Sequence, residues 1–198
     1  MTLQRIHNDD RYFFYAIPID EVMEKLGENC TFHMNSAPIA YSESWKEPLF
    51  LDFGPAMEGD KCEFEEIPDL CVNIGRLFLS ERAYSQLHED LKQDGEFLPV
   101  VYEGGTGYIF NPLTIAEDHD ALDQSVTTAD EFGELQNLGI LEDKLPESTM
   151  VFKCKADFYH GVFCTDAFKR AVEDAGLTGI YFHPDLSNIF GATSPAAH

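Results

Sequence analysis

Cys154, Asp157, His160 and Cys164 fall within eleven residues, a density of thiol, imidazole and carboxylate that invites zinc. The spacing argues otherwise, because structural zinc sites bring their cysteines together in pairs about two to four residues apart. Buried structural thiols beside a surface histidine account for the run. Glu117, Asp118, His119, Asp120 and Asp123 carry the ligand types of a hard cation, yet they lack the spacing, glycine and terminal glutamate of a calcium-binding loop. Gly104-Gly105-Thr106-Gly107 lacks the Lys-Ser/Thr of a phosphate loop and leads into an extended run, so it reads as a hairpin turn. Pairing a nucleophilic cysteine with a histidine, or two carboxylates for glycoside hydrolysis, is possible in many ways among 5 Cys, 7 His and 36 acids. None of those ways is specified.

The acids themselves are the stronger signal. Against 36 Asp and Glu the 198-residue chain has 13 Lys and Arg, a formal charge of −23, and residues 51–150 hold eighteen of those excess charges. Within residues 117–147, ten acids face one base, Lys144. Leu122, Phe132, Leu135, Leu138, Ile140 and Leu141 are interleaved with them, which marks a folded segment carrying charge on its outside. Ordered carboxylates with apolar anchors suit an interface for a cationic protein. The candidate partner-binding residues are Asp118, Asp120, Asp123, Asp130, Glu131, Phe132, Glu134, Glu142 and Asp143. A surface of this sign repels phosphate backbones and anionic lipids, so neither nucleic acid nor membrane is an expected partner.

The elements that must hold such a surface can be read from local pattern. Apolar residues make up 44% of the chain and aromatic residues 13%, enough to exclude intrinsic disorder. A chain of this length buries roughly 70% of its unfolded surface without staples. Tyr12 to Ile17 is predicted as the first strand, followed by a short helix ending at Gly27. Prolines and glycines break residues 29–69 into short pieces, with Leu49-Phe50-Leu51 as a strand. Arg76-Leu77-Phe78-Leu79 predicts a strand, and Ser80-Glu81 caps a helix over 81–94 with Tyr84, Leu87 and Leu91 on one face. The runs 97–102 and 108–110 form a hairpin. Val162-Phe163-Cys164, a helix with Thr165 as cap and Asp166 as first-turn acid bearing Phe168, Val172 and Ala175, and Ile180-Tyr181-Phe182 repeat the strand, helix, strand order.

The expected fold is therefore α+β: a mixed, mostly antiparallel sheet with two strand-helix-strand units and a loop-rich N-terminal part. Residues 1–70 are expected to pack on a main domain over 71–190, with a tail over 191–198. No signal-peptide core and no run of about 20 apolar residues is present, and five scattered cysteines give no disulfide framework. A cytosolic location with reduced thiols is expected.

Several runs together resemble a known family. They are Arg76-Leu77-Phe78-Leu79-Ser80-Glu81-Arg82, Gly95-Glu96-Phe97-Leu98-Pro99-Val100, Tyr108-Ile109-Phe110-Asn111-Pro112-Leu113, Ala121-Leu122-Asp123-Gln124-Ser125, and the C-terminal run from Val162 to Phe182. Over about residues 70–185 the chain resembles a bacterial family of acidic α+β immunity proteins of polymorphic-toxin systems, long catalogued as a domain of unknown function. The most specific piece, the last helix with its Gly-Leu-Thr-Gly turn and strand, is a packing motif. The resemblance implies a non-enzymatic protein without a cofactor, whose partner is a protein toxin. It departs from the family at Asn111-Pro112, where the proline is expected to shorten the strand. The alternatives are a metal-dependent or thiol enzyme using Asp118, His119 and Asp120 or Cys154 with His160, and an acidic nucleic-acid mimic.

Overall fold

The computed structural model describes residues 2–56, 61–189 and 191; apart from Gly191, the expected tail over 191–198 lies outside them. In chain order the elements are β1 (Gln4–Asn8), β2 (Phe14–Ala16), α1 (Ile19–Leu26), β3 (Leu49–Gly54), β4 (Leu70–Asn73), β5 (Arg76–Ser80), α2 (Glu81–Leu91), β6 (Gly95–Tyr102) and β7 (Gly105–Pro112). A long excursion carrying β8 (Thr128–Ala129) and β9 (Leu135–Asn137) follows, and then β10 (Val151–Phe152), β11 (Phe163–Cys164), α3 (Asp166–Asp174) and β12 (Ile180–His183). The chain is an α+β protein with mostly antiparallel sheets. A six-stranded sheet runs β2-β3-β6-β7-β5-β4, a four-stranded sheet runs β10-β11-β1-β12, and β8-β9 form a separate hairpin. Among the strands of the described residues only β3 and β6 pair in parallel.

Alternation along the strands sorts the side chains into three apolar layers. Phe78, Val100 and Ile109 point to one face of the large sheet with Tyr15, Leu51 and Phe53. Leu77, Leu79 and Phe110 point to the other, where Leu87 of α2, Phe168 of α3, and Ile6 and Val151 of the small sheet meet them. Phe152 and Phe163 leave the far side of the small sheet and form the third layer with Leu3, Ala116, Ala121 and Leu145. β5 is thus buried on both faces, which is why it reads as an unbroken apolar run. In both β5-α2-β6 and β11-α3-β12 an antiparallel strand, β7 or β1, lies between the two strands flanking the helix.

The edges of the large sheet come together. Asn73 Nδ2 donates to the Tyr15 carbonyl at 3.0 Å, and Tyr15 Oη donates to the Asn73 carbonyl at 3.2 Å, so β2 and β4 are stitched without a regular ladder. The carbonyls of Tyr15 and Asn73 are thereby occupied at the two edges.

Residues 31–45 have no regular structure, and buried cations fix them. Arg76, fully buried, donates to the carbonyls of Phe32 at 3.0 Å and Asn35 at 2.6 Å and to Asn111 Oδ1 at 3.3 Å, with its guanidinium 4.0 Å above the Phe32 ring. Lys153, also fully buried, donates to the Ser36 carbonyl at 2.8 Å. Among the described residues neither has a carboxylate at ion-pair distance; backbone carbonyls accept from both side chains. Burial, with Arg76 adding repulsion, pushes the Lys153 ammonium down to about 6. Glu96 completes the frame, accepting from Asn111 Nδ2 at 2.8 Å and from the backbone of Tyr41 at 2.7 Å and Ser42 at 3.0 Å.

Three local expectations are corrected. The chain's first strand is β1, not the run from Tyr12; only Phe14–Ala16 of that run is extended. β7 continues through Pro112, which pairs with Gly95 as the last residue of its strand, where loss of an N–H is tolerated. Thr165 does not cap α3 with its side chain, because its hydroxyl donates to the Thr149 carbonyl at 3.1 Å. Ser80, by contrast, caps α2 by accepting from Ala83 N at 3.1 Å.

Candidate partner-binding site

Residues 113–149, between β7 and β10, carry most of the acidic segment, and both ends hang on one residue. The carbonyl of Asp94 accepts from Leu113 N at 2.7 Å and Thr114 N at 3.1 Å. Its buried carboxylate oxygen Oδ2 accepts from Met150 N at 2.6 Å and Val151 N at 3.0 Å. Burial raises the Asp94 carboxyl above the usual range, although the two N–H groups oppose the shift. Further in, Ile115 bridges to Lys153 and Leu122 to Ile140. Ala116, Ala121 and Leu145 then sink into the third apolar layer. Apart from Glu117, these anchors leave most of the charged side chains between them toward solvent.

The acids fall into three groups. Asp118 and Asp120 are exposed at a short 3-10 turn, where Asp120 has a left-handed backbone. Glu117 of the same turn faces inward and accepts from Lys155 N and Ala156 N, each at 2.9 Å, and from Cys154 Sγ at 3.1 Å. Asp123 is spent on Ser125, whose hydroxyl and N–H lie 2.6 Å and 2.9 Å from Oδ1 and hold the carboxyl below its ordinary range. Among the described residues no three His, Cys, Asp or Glu side chains are placed to hold a metal ion. The cluster over 117–123 therefore does not converge as a cation site would need.

The second group is the β8-β9 hairpin tip. Asp130 Oδ1 accepts from Phe132 N at 2.9 Å and Glu134 N at 2.8 Å, and Gly133 supplies the positive φ of 84° that the turn requires. The carboxylate that sequence reading assigned to a partner is the brace of its own turn. It presents Phe132, 83% exposed, between the exposed acids Glu131 and Glu134. An aromatic ring held out of a braced turn is a preorganised anchor.

The third group borders a cavity. Glu142, Asp143 and Glu147 line a trough of about 910 Å³ floored by Ile140, Leu141 and Leu145 and reaching Thr165 and Ala167 at the start of α3. A second depression of about 350 Å³ shares Ile140 and Glu142 with it and extends to Leu3 and Leu186. Sequence reading named Glu142 and Asp143 as candidates and counted Glu147 among the acids of the segment, but did not name Thr149 or Ala167; only the folding of α3 against the excursion brings these together.

The thiol arrangement considered from sequence also resolves. Burial first, and then the Glu117 carboxylate beside it, push the Cys154 thiol far above its ordinary range, away from the thiolate a nucleophile needs. Asp157 is taken by Arg5, with N–O distances of 3.2 Å on both arms of the guanidinium, while His160 is exposed. In comparisons with known proteins, no family model and no curated sequence matches this chain. No helix among the described residues is long and apolar enough to cross a membrane.

Proposed function

We propose that this chain is a cytosolic immunity protein that binds and neutralises a basic antibacterial protein toxin by occupation of its surface, without catalysis. The observation that carries the reading is Phe132: a large apolar ring exposed on a braced hairpin between Glu131 and Glu134. Isolated apolar residues on a surface are ordinary. A rigid aromatic set among carboxylates on a chain of charge −23 combines the two things a complex with a cationic partner uses, a steering field and an apolar anchor. The sequence resemblance over about residues 70–185 supports the same function. The partner's active site or a neighbouring surface is covered in this scheme, and no group of this chain needs to transfer a proton or an electron.

The test is co-expression in a bacterial host of this chain with the product of the adjacent reading frame. Restored growth together with a co-purifying complex is the expected result. A toxic product that kills equally well with and without this chain overturns the proposal. Displacement of the partner from DNA alone would instead favour nucleic-acid mimicry.

A further inference from the structure

Glu142 and Ile140 form the divide between the two depressions, so a chain lying across Glu142 would set side chains into both. Their linings contain the acids Glu142, Asp143, Glu147 and Asp185 and, among the described residues, no lysine or arginine. The floors are apolar, with Leu141, Leu145 and Pro146 on one side and Leu138, Pro184 and Leu186 on the other. The larger hollow is an open trough, wide enough for side chains to be laid into it from the surface.

Two features at the α3 end offer hydrogen-bond donors. Thr149, 3% exposed and lining the trough, has an Oγ1 with no hydrogen-bond partner, and a buried polar atom left so is costly unless something satisfies it. Beside it, α3 begins without a side-chain cap because the Thr165 hydroxyl is committed to the Thr149 carbonyl. Unspent N–H groups at a helix start attract acceptor oxygens. Asp166, the acid of that first turn, is engaged by Thr2 N at 3.0 Å.

A bare cation would use the acids and ignore the α3 end; a bare anion would meet four carboxylates. A peptide satisfies both, with backbone carbonyls toward the α3 end and basic side chains on the rim. We propose that the two depressions are one docking cleft for a cationic, amphipathic peptide segment of the partner, with a lysine or arginine on Glu142 and apolar side chains on either side of it. The proposal rests on the partner-binding reading above and names the segment it would grip.

The test uses the full chain and fluorescein-labelled twelve-residue peptides alternating Lys with Leu, Glu with Leu, and Lys with Ser, read by anisotropy and by methyl NMR of Ile and Leu. The Lys/Leu peptide should bind, moving the methyl signals of Ile140, Leu141 and Leu145. Glu142→Gln with Glu147→Gln should weaken it about tenfold, as loss of close charge pairs does. Ala167→Trp, at an exposed position, should fill the trough and weaken it comparably while the circular dichroism spectrum stays unchanged. Glu63→Gln with Glu65→Gln, equal in charge and remote in sequence, should alter binding by less than about twofold. Equal loss from both glutamate pairs, equal binding of the Glu/Leu peptide, or unmoved Ile140 and Leu141 signals would overturn the cleft. If the cleft variants still protect cells from the toxin, the cleft fails and the immunity reading stands. If the peptide binds in the cleft but co-expression gives no protection, the immunity reading fails and the cleft stands.

Discussion

Asp94 Oδ2 lies 2.6 Å from the backbone nitrogen of Met150, 56 residues further along the chain, and accepts its N–H. The same residue's carbonyl receives Leu113 and Thr114, so one aspartate gathers the entry and the exit of the acidic excursion. Position in sequence gives no hint of this: Asp94 reads as one more acid at the end of a helix.

Replacing Asp94 by Ala leaves two buried N–H groups, those of Met150 and Val151, without an acceptor. At about 1–3 kcal/mol for each such group, a loss of about 2–6 kcal/mol is expected in urea unfolding. Asp94→Asn retains an acceptor oxygen and should cost less than half as much. Amide exchange at Met150 and Val151 should accelerate in the alanine variant before exchange in β5 does. A loss below about 0.5 kcal/mol would show that the excursion is held from elsewhere.

Lys153 makes stability depend on pH in a stated direction. Its folded value of about 6 lies below the ordinary 10.5, so between these limits the unfolded chain binds the extra proton and stability rises with pH. Below about 6 the ammonium is charged in both states and its burial cost is borne in full. The slope in the window approaches about 1.4 kcal/mol per pH unit for one proton. His7, depressed to about 4 by burial with Arg5 and His183 adding repulsion, contributes in the same direction, but only between about 4 and 6.5. Near pH 8.5 the buried thiols Cys71, Cys154 and Cys164, all raised by burial, make stability fall with pH, equally in both proteins. The difference in slope between wild type and Lys153→Met from pH 7 to 8.5 therefore isolates the lysine; equal slopes in the two proteins would show that Lys153 carries none of the pH dependence.

Glu131 and Glu134 act before contact in the proposed complex. Their field is screened over about 8 Å at physiological ionic strength, so association should slow steeply with added salt. Glu131→Gln with Glu134→Gln should slow association about three- to tenfold at low salt, whereas Glu63→Gln with Glu65→Gln should slow it less. Asp130 is left intact in this comparison because it braces the turn. Surface-binding kinetics at several salt concentrations decide the matter, and equal slowing by both pairs would reduce the effect to net charge.

Phe132 acts after contact. Phe132→Ala should leave the association rate nearly unchanged and raise the dissociation rate about thirtyfold, the equivalent of an anchor worth about 2 kcal/mol. The ring is exposed, so the melting temperature of the free protein should not fall. An unchanged dissociation rate would place the anchor elsewhere.

What the sequence determined by itself is local or global in character. Ser80 and Glu81, with Leu87 and Leu91 behind them, dictate α2 because a cap and a helical stripe act over a few residues. The glycines after Tyr102 dictate the hairpin for the same reason, and the charge of −23 follows from counting. The tertiary structure alone decided which residues meet. Gln4-Arg5-Ile6-His7-Asn8 reads as polar, yet it is an inner strand of the small sheet, where Arg5 finds Asp157 152 residues away. Arg76 and Lys153 look like surface cations, and are buried because an irregular segment turns its carbonyls toward them. Asp130 and Glu142 are alike in sequence, but one is consumed by its own turn and the other borders a cleft that exists only once α3 is packed. Hydrogen-bond partners supplied from distant parts of a chain carry no period, so no local pattern could announce them.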